Sequence, residues 1–327
     1  MLTRDRPITI HYSTWITWRY VTLPSYPATH HSLHVKYTGK VTVGGHGSQC
    51  RFSTLIPLTF LLDFTLVIDT GSSDLWVTSG QKLKLNSTTS TTVNLTYGIG
   101  SAYGNIVYGP VSFGGYQVDN QAFLSVSKAY DQDAQGIFGL GLNGLSALER
   151  TTKNASTQSV MANMFSQHPD TPHLIGLALE RSKDSEDTAG GYLSIGEYDP
   201  HYKNVTYMPK IPVTPTSTSR WTIAMDAMTV GEKRVPLTSA VKGTKKGQAI
   251  ALIDSGTSLA YIPSDAVDAI YSQFNGSVHV KAAGQDAWYV PCLAQVNLSF
   301  TFGCVPPFVV AFSFVTTHAR ARARGVN

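Results

Sequence analysis

Two aspartates stand in nearly the same string of residues. Residues 66–73 read Leu-Val-Ile-Asp69-Thr-Gly-Ser-Ser, and residues 251–258 read Ala-Leu-Ile-Asp254-Ser-Gly-Thr-Ser. Both run apolar, apolar, Ile, Asp, hydroxyl, Gly, hydroxyl, Ser, and the aspartates lie 185 positions apart. An apolar strand that ends in such a turn delivers a carboxylate at the tip of a rigid element. The glycines, Gly71 and Gly256, let a partner loop approach closely. The hydroxyls of Thr70, Ser72, Ser255 and Thr257 supply donors that orient the carboxylates or the opposing loop. If a twofold relation between the halves brings Asp69 and Asp254 together, two carboxylates about 3 Å apart cannot both ionise and must share one proton. One then acts as general base on a water, while its protonated partner polarises a carbonyl. That chemistry needs no metal, no cofactor and no covalent nucleophile. The plainer reading has each Asp cap its own turn, and the repetition of the whole string argues against it.

The elements that must carry these loops read as strands. The chain has 327 residues, 42% hydrophobic and 14% charged, against a usual charged fraction of about 25%. Its length suggests two domains or lobes. Residues 35–44 alternate apolar and polar with a strand period. From 91 to 127, β-branched and aromatic runs are split by Gly98, Gly100, Gly104, Gly109 and Gly114-Gly115, which reads as a meander of hairpins. Helical periodicity is brief, near 158–166 and 264–274, the second with Ser264 as N-cap after Pro263. Residues 209–220 read as a loop or edge connection. The class is all-β with short helices.

Other chemistries fail on context. Gly98-x-Gly100-x-x-x-Gly104 lacks dinucleotide-binding spacing and sits in a strand pattern. There is no Walker A run and no G-x-S-x-G elbow. Cys50, Cys292 and Cys304 form no CxxC or Cys/His ladder for zinc, and His30-His31-x-x-His34 reads as a solvated loop. The net charge of +4 comes from the ends. Residues 1–60 hold six Lys/Arg and one acid, and residues 303–327 hold three Arg and none, so the middle is net acidic. That is not a nucleic-acid footprint. The apolar run 55–68 is too short, and is broken by Pro57 and Asp63, so no membrane span is expected. Six N-x-[ST] sequons, at Asn86, Asn94, Asn154, Asn204, Asn275 and Asn297, lean toward a secretory history and a glycoprotein, although the N-terminal residues do not read as a signal peptide.

These motifs together resemble a pepsin-type aspartic endopeptidase, closest to fungal members. The resemblance is carried by Phe64 to Val77, Leu95-Thr-Tyr97-Gly-Ile-Gly-Ser101, Gln135-Gly-Ile-Phe-Gly-Leu-Gly-Leu142, Gly190 to Gly196, Trp221-Thr-Ile and Ala251 to Leu259. It implies a bilobal acid-protease fold with a cleft between lobes, and Asp69 and Asp254 as the catalytic pair. Thr70, Gly71, Ser72, Ser255, Gly256 and Thr257 would support that pair. Tyr97 would be the tyrosine of a β-hairpin flap with Trp76 as its hydrogen-bonding partner, and Gly98 and Ile99 would form the flap tip over the substrate. The partner implied is an extended polypeptide, cleaved by a monomer that is secreted or vacuolar. The alternative is a catalytically impaired pepsin-like pseudoenzyme or peptide-binding protein.

The matched region runs from about Tyr37 to Gly303. It divides into an unmatched segment 1–34, a first lobe 35–188 with an atypical insert 50–63, a second lobe 189–303, and a divergent tail 304–327. In the first half, Ile137-Phe-Gly-Leu-Gly141 buttresses the Asp loop, and no counterpart follows Asp254. The second lobe is therefore expected to be incomplete, with exposed core surface, unpaired sheet edges and weak or no activity.

Overall fold

The computed structural model describes residues 21–27, 35–44, 62–78, 83–132, 134–179, 189–198, 205–257, 260–282, 285–291, 295–303, 308–315 and 320–322. The three cysteines, the histidine cluster 30–34, the sequon at Asn204 and all but the last two residues of the insert 50–63 lie outside these. The chain separates into two compact units. The first takes residues 1–210 together with Ser219–Trp221 and Ile253–Ser258. The second takes Ile211–Thr218, Thr222–Leu252 and Leu259–Asn327. The Asp254 loop thus belongs by its contacts to the first unit.

In the first unit the strands are β1 (Val21–Pro27), β2 (Val35–Val43), β3 (Asp63–Asp69), β4 (Leu75–Thr78), β5 (Ser87–Thr96), β6 (Ser101–Phe113), β7 (Tyr116–Tyr130), β8 (Gly136–Gly139), β9 (Ile175–Leu179) and β10 (Ala189–Ile195). They form one sheet in the order β5-β6-β7-β4-β8-β3-β2-β1-β10-β9, with β6 also meeting β2. β10 pairs with β9 and β1 inside this unit, so the strand that the sequence reading set at the start of the second lobe is held by the first. β1 likewise gives residues 21–27 a place in the sheet, against β2 and β10.

β3 is buried on both faces, which explains its unbroken apolar run. Phe64, Leu66 and Ile68 point into one core with Leu75, Val77, Phe123 and Phe138, while Val67 points into a second with Trp76, Ile137 and Leu148. The ladder with β2 begins at Thr42 opposite Asp63, whose carboxylate accepts the Thr42 hydroxyl at 2.7 Å.

The expected meander resolves into fewer, longer strands. Turns fall only at 97–100 and 114–115. Gly104 and Gly109 lie inside β6, where the register with β7 shifts. They are bulge positions, and at Gly104 a Cβ would run into the Ser125 carbonyl.

Among the described residues, three short α-helices follow the sequence only in part. α2 (Val160–Gln167) and α3 (Ser264–Tyr271) fall where periodicity placed them. Pro263 occupies the N-cap of α3 and makes no side-chain cap, so Ser264 is the first helical residue rather than the cap. α1 (Ala147–Thr152) is too short to show a period, but Ser146 caps it by accepting the Glu149 N–H at 3.1 Å. The capping-box spacing Ser146-x-x-Glu149 is its only local signal.

In the second unit, β11 (Thr222–Met225) pairs antiparallel with β14 (Ala249–Leu252). β12 (Ala227–Val230) lies between β13 (Lys233–Val235) and β17 (Gln295–Phe302). β15 (Val278–Ala282) and β16 (Gln285–Tyr289) form a hairpin. The tail does not leave β17 as an edge. β18 (Phe308–Val315) pairs with β17 along its whole length, and β19 (Arg320–Arg322) pairs with β16. The run FVVAFSFV is rich in β-branched and aromatic residues, so it forms a strand despite lacking the expected motifs. Among the described residues β14 pairs with β11 alone.

Candidate active site

Asp69 is the last residue of β3 and is 6% exposed. β8 runs parallel to β3 with Asp69 opposite Gly139, and antiparallel to β4 on its other side. The turn between β3 and β4 wraps over the end of β8 and is bonded to it throughout. Leu140 N–H donates to the Asp69 carbonyl at 2.7 Å, Gly141 N–H to the Ser72 carbonyl at 2.7 Å and Gly139 N–H to the Asp74 carbonyl at 3.1 Å. The Ser73 hydroxyl donates to the Leu142 carbonyl at 2.8 Å. A Cβ at Gly139 would sit 2.5 Å from the Ser73 carbonyl carbon, so this approach requires glycine. The segment 137–141 therefore buttresses the first Asp loop as its sequence suggested.

Asp254 follows β14. Ile253 N–H donates to the Trp221 carbonyl at 2.9 Å, and the Trp221 indole donates to the Leu140 carbonyl at 2.9 Å. Trp221 thereby joins the second Asp loop to the segment that supports the first.

The two loops lock through reciprocal bonds. Thr70 Oγ1 donates to the Ile253 carbonyl at 2.7 Å, and Ser255 Oγ donates to the Ile68 carbonyl at 2.7 Å. Thr70 N–H donates to Ser255 Oγ at 3.1 Å, and Ser255 N–H donates to Thr70 Oγ1 at 2.9 Å. Each hydroxyl donates to one carbonyl and accepts one N–H, so neither buried group is orphaned. The repeated string marks these hydroxyls but not their partners.

The carboxylates are bound in matching fashion. Gly71 N–H donates to Asp69 Oδ1 at 2.8 Å, and Gly256 N–H donates to Asp254 Oδ1 at 2.8 Å. The Ser72 hydroxyl donates to Asp69 Oδ2. Thr257 stands at the equivalent step of the second loop. A Cβ on Gly71 would lie 2.6 Å from the Asp254 carboxyl carbon, and one on Gly256 would lie 2.6 Å from that of Asp69. Each loop's glycine thus lies against the other loop's carboxyl group. Burial first, and then the Asp254 charge, push Asp69 up to about 7, against the opposing pull of the Ser72 hydroxyl and the Gly71 N–H.

Tyr97 opens the connection between β5 and β6, with its N–H donating to the Gly100 carbonyl at 3.1 Å. Its half-buried ring packs on the core that contains Trp76. Burial, and then the charges of Asp69 and Asp74, hold its phenol well above the usual range, so the hydroxyl keeps its proton. The Trp76 indole N–H is buried with no hydrogen-bond partner of full geometry, yet it stands near enough to favour the Tyr97 phenolate. The hydrogen bond expected between them is therefore not fully formed. Gly98 and Ile99 lie at the exposed tip, Ile99 being 45% exposed.

Asp74 was not singled out by the sequence reading. It is buried and accepts the Ser146 hydroxyl at 2.6 Å, the Ala147 N–H at 2.7 Å and the Leu148 N–H at 3.4 Å at the start of α1. Burial raises its pKa against these donors. Its role is to fasten α1 to the Asp69 loop. Among the described residues, no group of three His, Cys, Asp or Glu side chains is placed to hold a metal ion.

The family model for eukaryotic aspartyl proteases matches residues 61–322. The match continues beyond Gly303, where the recognisable motifs stop, as far as residue 322. The chain is 27% identical over 297 residues to major aspartyl peptidase 1 of Cryptococcus neoformans, covering 83% of this chain and 56% of that protein. It is 31% identical over 291 residues to an aspartic protease of Phaffia rhodozyma (82% and 61%) and 31% identical over 230 residues to pepsin A of Gallus gallus (64% and 56%). The crystal structure of the aspartic proteinase from Irpex lacteus superposes with a TM-score of 0.63 at 25% identity, covering 89% of this chain and 77% of that one. The chain spans 56% to 61% of the length of these three curated relatives. With most of its length matched and two like Asp loops joined at one site, the chain belongs to the eukaryotic aspartyl protease family.

Proposed function

We propose that the chain is an aspartic endopeptidase that hydrolyses peptide bonds in extended polypeptides at acidic pH, with Asp69 and Asp254 as the catalytic pair. The observation that carries this reading is the crossed packing of Gly71 against the Asp254 carboxyl and Gly256 against that of Asp69. The pair holds one proton, and burial favours its resting on Asp69. The ionised member takes a proton from a water, whose oxygen attacks the peptide carbonyl carbon. The protonated member gives its proton to the carbonyl oxygen, which yields a neutral tetrahedral diol. Collapse of the diol returns a proton to the departing nitrogen as the C–N bond breaks. Tyr97, Gly98 and Ile99 on the β5–β6 connection would lie over the substrate, with Trp76 behind Tyr97. The polypeptide is the only partner required, and the chain acts as a monomer.

Five of the six sequon asparagines, Asn86, Asn94, Asn154, Asn275 and Asn297, are described and exposed, which supports a glycosylated, secreted or vacuolar protein. No helix among the described residues is long and apolar enough to cross a membrane.

The test is cleavage of an internally quenched peptide, and of acid-denatured casein, between about pH 3 and 6. Asp69→Asn and Asp254→Asn should each abolish it, and turnover that survives either change refutes the reading. A second reading, a peptide-binding protein with impaired catalysis, is favoured by the lone pairing of β14 beneath Asp254. Tight peptide binding without turnover would select it.

A further inference from the structure

The tip of the β5–β6 connection is held from outside the hairpin. Gln132 Nε2 donates to the Ile99 carbonyl at 2.9 Å. β7 ends beside the tip, with Tyr130 opposite Ser101, and the chain then turns through Asp131 at a φ of 52°. Gly100 has a φ of 80°, and a Cβ there would lie 2.7 Å from Gln132 Nε2 and 3.0 Å from the Asp131 carbonyl. The backbone of the tip therefore rests against the 130–132 turn. Its outward side is open, because a Cβ on Gly98 would meet nothing within 4 Å.

The same stretch of chain leads straight to the Asp69 loop. Three residues after Gln132, the Gln135 side chain accepts the Thr65 N–H at 2.7 Å, and the Gln135 carbonyl accepts the Thr78 N–H at 2.8 Å. β8 begins at the next residue and ends against Asp69. One end of this segment is thus fixed to β3 and β4 beneath the carboxyl pair, while its other end reaches the tip through a single amide.

We propose that Gln132 is a positioning residue that holds the 97–100 connection at the height needed to close over a bound peptide. This rests on the reading of that connection as the element covering the substrate. The tether acts only through the Ile99 carbonyl. It leaves the Gly98 and Ile99 faces free for the ligand, while Tyr97 anchors the base of the connection in the core.

Three variants of the full chain test it: Gln132→Met, which has a similar shape without donors; Gln132→Lys, which restores a donor; and Gln132→Glu. Loss of one neutral hydrogen bond at this site should raise amide exchange at residues 98–101 about fivefold in Gln132→Met. KM for an internally quenched peptide should rise by about the same factor, with kcat within about twofold. Gln132→Lys should restore both values. Gln132→Glu should match the parent at pH 3, where its carboxyl is protonated and can donate. It should resemble Gln132→Met at pH 6, above the ordinary glutamate pKa of about 4.3. A residue that merely stabilised the fold would produce no such pH crossover. Unchanged tip exchange in Gln132→Met overturns the tether whether or not the chain cleaves the peptide. Increased exchange with an unchanged KM overturns the role in closure. A parent chain that neither binds nor cleaves the peptide refutes the protease reading, and closure with it, even where tip exchange responds.

Discussion

Thr70 and Ser255 hold each other across the site: each backbone N–H donates to the other's side-chain oxygen, at 3.1 Å and 2.9 Å. Each hydroxyl also donates to the strand beneath the other, at the carbonyls of Ile253 and Ile68. Removing one hydroxyl strands an N–H and a carbonyl in a region from which water is excluded. Thr70→Val or Ser255→Ala should each cost about 1–3 kcal/mol of stability, the penalty for leaving buried partners unpaired. Thr70→Ser, which keeps the oxygen, should cost less than Thr70→Val. The double variant should cost about the sum of the two, because each hydroxyl serves its own backbone N–H and carbonyl and the second change strands a different pair. Chemical unfolding of the four proteins checks this, and a double variant no costlier than either single change would mean that the loops already part when one hydroxyl is lost.

Asp69 gives the protein a pH dependence of definite sign. Its carboxyl sits near the ordinary value of 3.8 in the unfolded chain and at about 7 in the fold, because burial and the neighbouring Asp254 disfavour its charge. Between those values the fold keeps a proton that the unfolded chain has released. Its contribution to stability is therefore fully present below about pH 4, declines as pH rises, and is gone once pH passes 7. Asp74, raised by its own burial, acts in the same direction. Unfolding followed from pH 4 to 7.5 should show stability falling with pH. Asp69→Asn should flatten that slope and make the protein more stable than the parent at pH 7. A parent curve that rises over this interval would contradict the proton assignment.

Gly71 and Gly256 test the geometry of the carboxyl pair without altering a titrating group. Alanine at either position would place a methyl 2.6 Å from the other loop's carboxyl carbon. The loops are bonded to one another and cannot simply part, so the carboxyl must shift. A displacement approaching 1 Å at reacting groups costs on the order of a hundredfold in rate. Both Gly71→Ala and Gly256→Ala should lose kcat on that scale. Peptide turnover by the two variants decides it.

The sequence disclosed the Asp loops because their chemistry is local: the carboxylate, the turn glycine and the hydroxyls are neighbours in the chain, and the string occurs twice. It disclosed the apolar-Gly segment 137–141 for the same reason. Asp74 escaped notice because its partners at Ser146 and Ala147 are more than 70 positions away, and a single buried Asp has no pattern. Ser146-x-x-Glu149 shows that a helix starts, not what fastens it. Gly104 and Gly109 were read as turns because a glycine between two β-rich runs looks the same whether the chain reverses or bulges. Only the partner strand distinguishes them. The tail 304–327 was set aside for lacking family motifs, yet pairing along β17 needs only a run of strand-forming residues. The boundary expected near 188 rests on the order of motifs alone. Membership in a unit is decided by which strands pair, and β10 pairs with β9 and β1.

The two Asp strands are alike in sequence and unlike in setting, and this difference is measurable. Val67 and Leu252 occupy the same step of the repeat, two residues before their aspartates. Val67 is 3% exposed and packs with Trp76 and Ile137, between β2 and β8. Leu252 is 41% exposed on a strand whose described partner is β11 alone. Leu252→Ala removes more carbon than Val67→Ala, so side-chain size alone would make it the costlier change. Burial reverses the order. Val67→Ala should cost about 2 kcal/mol, from roughly 0.8 kcal/mol per buried CH₂ lost together with a cavity term. Leu252→Ala should stay within about 0.5 kcal/mol, as surface substitutions do. Chemical unfolding of the two variants gives both numbers. If Leu252→Ala proves as costly as Val67→Ala, then β14 is covered in solution, and the second Asp loop has support to match the first. If the order holds, Asp254 depends for its position on the Thr70–Ser255 lock and on Trp221, and variants that loosen either should reduce kcat more than they reduce stability.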